Sequence, residues 1–267
     1  MSDILVELTE ARRADVLRRE AEVPFDEMMR RADAMPAPRD FAAALSTHGE
    51  NASACKPHVI AELKRASPSE GMIREDIRPV ELARELVDAG AAALSVLCEP
   101  HRFLGDEEFL RDVRAVADVP ILYKDFLSTR YQIAAARAAG ADAVLLIAAV
   151  LDDTTLADLL AFAHSLGMNA LVETHDAQEI DRAVQAGARI VGVNCRNLRN
   201  FSTDVSLLES LVGSIPRPCV RVAESGMHDA GAIRRAQAAG ADAFLVGTAL
   251  MRAERPGAKL KELTTNH

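Results

Sequence analysis

Glu62 and Lys64 stand two residues apart at the end of an apolar run in IAELKRASPSEG, residues 60–71. In an extended strand residues i and i+2 share a face. A carboxylate and an ammonium group would therefore project together while Leu63 faces away. Other apolar runs end in polar groups too: Lys124 in PILYKD, Glu173 in NALVET, Asn194 after IVGV, and Glu224 with Ser225 in CVRVAES. Such groups, brought to one place, suit proton transfer. An ammonium group stabilises and protonates an oxygen on which negative charge builds, and a carboxylate removes a proton. Any one of these charges alone fits a solvated rim. Two Glu and two Lys on three strands are harder to explain that way, because unpaired charges are costly to bury.

The elements that must position these groups are legible from a recurring phrase. It reads DAGAAALSVL from 88, AAGADAVLLI from 138, QAGARIVGV from 185 and AAGADAFLVG from 238. Each glycine (Gly90, Gly140, Gly187, Gly240) ends an Ala-rich helical pattern, where a left-handed residue without a Cβ is the least strained stop. A hydrophobic strand follows each one. HVIAELK (58–64), PILYKD (120–125), NALVET (169–174) and CVRVAE (219–224) bring the strand count to eight. Helical patterns fill the gaps, as in LDDTTLADLLAFAHSLG (151–167), where Leu156, Leu159, Leu160 and Ala163 fall at helical spacing.

Eight strands alternating with helices predict an α/β fold, a closed (β/α)8 TIM barrel. An open doubly wound sheet is the rival, but no GxGxxG follows the first strand. The expected organisation is a single domain over 1–267. Residues 1–57 form an N-terminal helical extension packed on the barrel, and 58–255 form the barrel core. Ile4, Leu5, Leu8, Val16 and Leu17 in the extension are expected to be buried and to help frame the active-site mouth.

A barrel of this kind carries its active site at the carboxyl ends of its strands, where the polar groups above converge. The turns after the last two strands, ESG at 224–226 and VGTAL at 246–250, suit a phosphate: Gly226 and Gly247 allow close backbone approach, and Ser225 and Thr248 add hydroxyl donors. The loop over 65–76 is longer than the ~2–6 residues of an ordinary βα connection, which suggests a lid.

Composition narrows the partners. With 31 Lys and Arg against 40 Asp and Glu, a net charge of −9 and no basic stripe, nucleic acid is not expected as a partner. The longest strongly apolar run, AVLLIAAVL at 143–151, is far below the ~18 residues of a membrane span. The start of the chain does not read as a signal peptide. Cys55, Cys98, Cys195 and Cys219 are widely spaced, which favours neither a zinc site nor a disulfide framework and suggests a reduced, cytoplasmic protein.

The runs IAELKRASPSEG, SVLCEPHRFLGDEEFL, LYKDF, GADAVLLI, LVETHD, VGVNCRNLRNF, VAESGM and FLVGTALM together resemble the indole-3-glycerol phosphate synthase family, in order and spacing, over residues 58–252. The resemblance implies a decarboxylating, dehydrating ring closure of 1-(2-carboxyphenylamino)-1-deoxyribulose 5-phosphate, with no cofactor and no metal. It implies Lys124 as a general acid, Glu173 as a catalytic base or acid, and Glu62 and Lys64 as their partners. It also implies that Asn194, Arg196 and Glu224 hold the substrate's carboxylate and hydroxyls and that Phe103 and Phe126 line a ring pocket. Ser67, Ser225, Gly226, Gly247 and Thr248 would form the phosphate site. The implied partner is this small molecule, with association among tryptophan-pathway enzymes left open. The chain departs from the family pattern at Glu70, where Lys or Arg is frequent, and at Cys98, Cys195 and Thr248.

Overall fold

A computed structural model describes residues 4–46, 56–196 and 205–265, leaving Cys55 and the end of the VGVNCRNLRNF motif outside the described residues. Eight parallel strands close into a barrel: β1 (His58–Leu63), β2 (Ala93–Leu97), β3 (Ile121–Lys124), β4 (Ala143–Ile147), β5 (Asn169–Thr174), β6 (Ile190–Asn194), β7 (Val220–Glu224) and β8 (Ala243–Val246). Sequence neighbours pair throughout, and β1 closes the ring against both β2 and β8. Three expected strands are shorter by a residue or two, and Lys64 and Asp125 lie just beyond strand ends.

Alternation along the strands separates two cores. One parity, including Val59, Ala61, Val96, Tyr123, Val144, Val172, Val193 and Phe244, faces the surrounding helices. The other, including Ile60, Leu122, Leu145, Leu171, Ile190, Val222 and Leu245, fills the barrel interior. Continued by two, that inward parity reaches Glu62, Lys64, Lys124, Glu173, Asn194, Glu224 and Gly247. The apolar plug thus ends where the charged groups begin.

Around the barrel run α4 (Pro79–Asp88), α5 (Glu107–Arg114), α6 (Arg130–Ala138), α7 (Asp153–Ser165), α8 (Ala177–Gln185), α9 (Val205–Val212), α10 (Ala230–Ala238), α11 (Thr248–Arg252) and α12 (Pro256–Thr264). Acidic N-caps start several of them: the Asp152 carboxylate accepts from Thr155 N at 2.7 Å, and Asp176 from Glu179 N at 2.8 Å. The four repeat glycines end helices with φ of +96°, +97°, +91° and +106°. The buried side chains of α7 include Leu156, Leu159, Leu160 and Ala163.

The N-terminal segment divides its work between the two ends of the barrel. In α1 (Ile4–Glu22) Leu5, Leu8 and Val16 are buried as expected, but Leu17 is 71% exposed, because it lies on the face turned away from the barrel. Arg12 clamps Asp125 through three hydrogen bonds of 2.6–3.0 Å, and Arg19 pairs with Glu107 at 2.7 Å. α2 (Phe25–Asp33) lies on α6, with Met28 packed in a cluster with Tyr131, Ala134 and Ala135. α3 (Phe41–Leu45) does not frame the active-site mouth. Phe41 and Leu45 are fully buried in the interior cluster, while Ala42 N donates to Asn169 Oδ1 and Arg39 N to Asp142 Oδ1. Asn169 begins β5 and Asp142 precedes β4, so α3 plugs the amino end of the barrel.

The long connection after β1 carries a two-residue hairpin, Ala66–Ser67 against Gly71–Met72, before the next helix starts at Pro79.

Candidate active site

All four expected catalytic residues and all ten expected binding residues line one cavity at the carboxyl ends of the strands. It holds about 1050 Å³ including its solvent-filled mouth. Leu145, Ile147 and Leu245 from the barrel interior, and Ile4, Leu5 and Leu8 from α1, form its apolar lining.

The charged groups interlock. Lys64 Nζ lies 2.6 Å from Glu62 Oε1, and their side chains are 13% and 3% exposed. Lys124 Nζ lies 2.8 Å from Glu224 Oε2 and 3.4 Å from Glu173 Oε2. Burial opposes the Lys124 charge, but Glu224, Glu173 and Glu62 outweigh that cost and hold the ammonium group well above its ordinary range. Burial likewise disfavours the Glu62 anion, yet Lys64 and Lys124 bring its pKa below the ordinary value.

Glu173 and Glu224 differ sharply although both face Lys124. Burial works against ionised Glu173, but Lys124, His175 and Asn194 push its pKa far below the usual carboxylate range. Glu224 is raised to about 7, chiefly by burial and with the Glu173 charge adding to it, against the pull of Lys124. Among the described residues its Oε1 is buried without a hydrogen-bond partner.

Asn194 is oriented by its neighbours. Its Oδ1 accepts from Ser225 Oγ at 2.7 Å and from Arg196 N at 3.1 Å, leaving Nδ2 to donate to Glu173 Oε1 at 3.1 Å. The Ser225 hydroxyl, expected at a phosphate, is thus spent on Asn194. Ser225 and Gly226 both take left-handed φ, +65° and +75°, a strained choice for the serine that turns the chain beneath the cavity. At the other glycine turn, a Cβ on residue 247 would collide with Glu62 Oε1 and come within 3.0 Å of Lys64 Nζ. Gly247 therefore makes room for the Glu62–Lys64 pair.

Phe103 and Phe126 meet at 6.1 Å between ring centroids. The loop carrying Phe103 is wound on Glu99, a fully buried carboxylate that accepts from the backbone N–H groups of His101, Arg102 and Phe103 at 2.6–2.8 Å. Arg196 donates to Ser69 Oγ and lies 3.8 Å from Glu70, which also pairs with Arg252. Glu70 thereby ties the hairpin loop to the loop after β6 and to α11. Cys98 and Cys195 are buried outside the cavity lining, with their thiols directed at backbone carbonyls.

Sequence reasoning missed several supports of the site. Glu99 and Asp125 each lie in or beside a quoted motif, yet only the fold shows what they hold. Gly192 is less visible still: a Cβ there would collide with Glu224 Oε1. Among the described residues no group of three or more metal-ligating side chains comes together, and no helix is long and apolar enough to cross a membrane.

A closed parallel barrel with interlocked ammonium and carboxylate groups at the carboxyl ends of its strands defines a TIM-barrel enzyme built for acid–base chemistry. Solved structures share the fold: a 3-hexulose-6-phosphate synthase aligns with a TM-score of 0.62 at 18% identity, over 79% of this chain and 98% of its own. Residues 5–263 match the family model described as indole-3-glycerol phosphate synthase. Relatives of that name are 45% identical in Campylobacter curvus, covering 94% of this chain and 95% of the relative, and 47% identical in Micrococcus luteus, covering 97% and 96%. The chain belongs to the indole-3-glycerol phosphate synthase family.

Proposed function

We propose that the chain converts 1-(2-carboxyphenylamino)-1-deoxyribulose 5-phosphate to indole-3-glycerol phosphate, carbon dioxide and water, as a carboxy-lyase of tryptophan biosynthesis. The observation that carries this reading is the Lys124 ammonium group held between Glu224 and Glu173 at the base of the cavity.

In the first step the ring carbon bearing the carboxylate attacks the ketone carbon, and the carbonyl electron pair moves onto oxygen. Lys124 is the general acid that meets this charge and delivers a proton. Carbon dioxide then leaves, and its bonding pair returns to the ring and restores aromaticity. The new hydroxyl departs as water after protonation. Loss of a proton from the carbon beside nitrogen completes the indole. Lys64, paired with Glu62, is the acid for the hydroxyl, and Glu173 is the base. The overall change is redox-neutral, so proton transfer and charge stabilisation are sufficient chemistry.

Arg196, Asn194 and Glu224 hold the carboxylate and hydroxyls, and the Phe103–Phe126 pair borders the ring. The phosphate lies against Ser67, Ser225, Gly226, Gly247 and Thr248, with the last four contributing backbone N–H groups. A small-molecule partner and a cytoplasmic place of work fit this reading, as does a single domain in which α1 and α3 close the two ends of one barrel.

The test is to incubate the purified protein with the substrate and follow indole absorbance and carbon dioxide release. Equal amounts of both are expected. Binding of substrate without either product would mean a barrel that holds the ligand but does not convert it.

A further inference from the structure

Beside Glu173 stands a group that does not line the cavity and has no part in the chemistry above. His175 is the residue after β5, two beyond Glu173 and one before the Asp176 N-cap of α8. Its Nε2 lies 3.4 Å from Glu173 Oε1, long for a hydrogen bond and close for an ion pair. Its Nδ1 lies 3.1 Å from Glu179 Oε2, and that same oxygen accepts from His175 N at 2.8 Å. Glu179 is the third residue of α8, and its own N–H is taken by Asp176. The helix start thus fixes both the backbone and the ring of His175.

We propose that His175, anchored by Glu179, is the positioning residue of Glu173: as a cation it holds Glu173 Oε1 by charge, keeps this carboxylate ionised, and leaves Glu224 as the member of the pair that takes the proton. The proposal rests on the reading of Glu173 as the base.

The charge balance explains the need. Of the charged groups that line the cavity, Asp125 is paired with Arg12 and Arg196 lies toward Glu70, which leaves three carboxylates (Glu62, Glu173, Glu224) against two ammonium groups (Lys64, Lys124) around the base. Glu173 and Glu224 both approach Lys124, so one of them must accept a less favourable environment. The groups facing Glu173 are Lys124 from β3, Asn194 from β6, Glu224 from β7, Glu62 from β1 and His175 itself. His175 faces Glu173 and Glu179. Asn194 donates to Glu173 Oε1 and the His175 ring faces the same oxygen as an ion pair rather than a hydrogen bond, whereas Glu224 Oε1 has no hydrogen-bond partner among the described residues. This asymmetry sends the proton to Glu224. Burial disfavours the His175 cation, but Glu173 and Glu179 more than offset it and raise its pKa to about 10. A carboxylate–imidazole–carboxylate chain of this kind sets the orientation of the acting group, much as outer partners do for metal-bound histidines.

The experiment compares kcat–pH profiles of the native enzyme, His175→Asn and Glu173→Gln, together with an NMR titration of the His175 ring in the native protein. The Glu173–Glu224 pair titrates as a unit, and removing a nearby cation raises its apparent pKa. The acid limb of kcat in His175→Asn should move up by about one pH unit or more. KM should change little, because His175 does not line the cavity. In the native protein the ring should stay protonated well above the ordinary ~6.5 of histidine. A His175→Asn profile superimposed on the native one, even at lower kcat, overturns the proposal, and so does a ring titrating near its ordinary value. If His175→Asn does not fold, the ring titration alone decides. A nearly fully active Glu173→Gln would instead remove the reading of Glu173 on which the proposal rests.

Discussion

Gly192 and Glu224 are matched: the carboxylate of one fills the volume that a side chain on the other would need. A Cβ at residue 192 would overlap Glu224 Oε1 and approach Leu171 Cδ1 to 3.1 Å. Gly192→Ala must therefore push Glu224 away from Lys124 or strain the strand. The expected result is a folded barrel destabilised by roughly 1–3 kcal/mol, the usual cost of overpacking, with kcat reduced about tenfold or more. Thermal melting and steady-state kinetics check both.

The buried Arg12–Asp125 pair ties α1 to the segment Lys124–Asp125–Phe126. The side chains are 13% and 1% exposed, so removing the arginine strands a carboxylate inside the protein. Arg12→Met should cost about 3–5 kcal/mol, the range for breaking a buried pair from one side. Activity should fall more than stability alone explains, because Lys124 and Phe126 flank the freed Asp125. Denaturant titration alongside kcat at a temperature where the variant is fully folded separates the two effects. Unchanged kcat would limit α1 to a structural role.

How much of this was readable beforehand depended on the range of each relationship. The two-residue spacing of Glu62 and Lys64 predicts their shared face, and the 2.6 Å contact follows from it. The eight strands were equally legible, because each carries its own apolar run and four of them follow a helix-ending glycine of the recurring phrase. Relationships spanning the chain were not. Arg12 and Asp125 are 113 residues apart, and nothing local distinguishes Arg12 from the other arginines of α1. Leu17 shows the same limit in reverse, since an apolar residue in an amphipathic helix was expected inside and lies outside. His175 and Gly192 were hidden because a histidine before a helix and a glycine in a strand are ordinary locally. Only the positions of Glu173 and Glu224 give them meaning.

The raised pKa of Glu224 predicts a pH dependence of stability. Its folded value of about 7 lies above the unfolded value near 4.5, so folding favours the protonated form. The corresponding stability is fully present below the unfolded value and is lost as pH rises through about 7. Glu224→Gln mimics the protonated state. Its melting temperature should equal or exceed that of the native protein above neutrality, with the difference shrinking as pH falls toward 5. A variant less stable than native at pH 8 would show that ionised Glu224 stabilises the barrel.

The central claim is that Lys124 supplies the proton and the charge for ring closure. The most direct measurement is single-turnover kinetics of Lys124→Ala and Lys124→Arg with the carboxyphenylamino-deoxyribulose phosphate substrate. Lys124→Ala should slow the chemical step by about 10²–10⁴-fold, the usual contribution of general acid–base catalysis. Lys124→Arg should not restore it, since a guanidinium keeps the charge but is larger and releases its proton far less readily. Substrate affinity should change much less than the rate, because Ser67, Arg196 and the two glycine turns still line the cavity. A near-native rate of ring closure in Lys124→Ala would contradict this account.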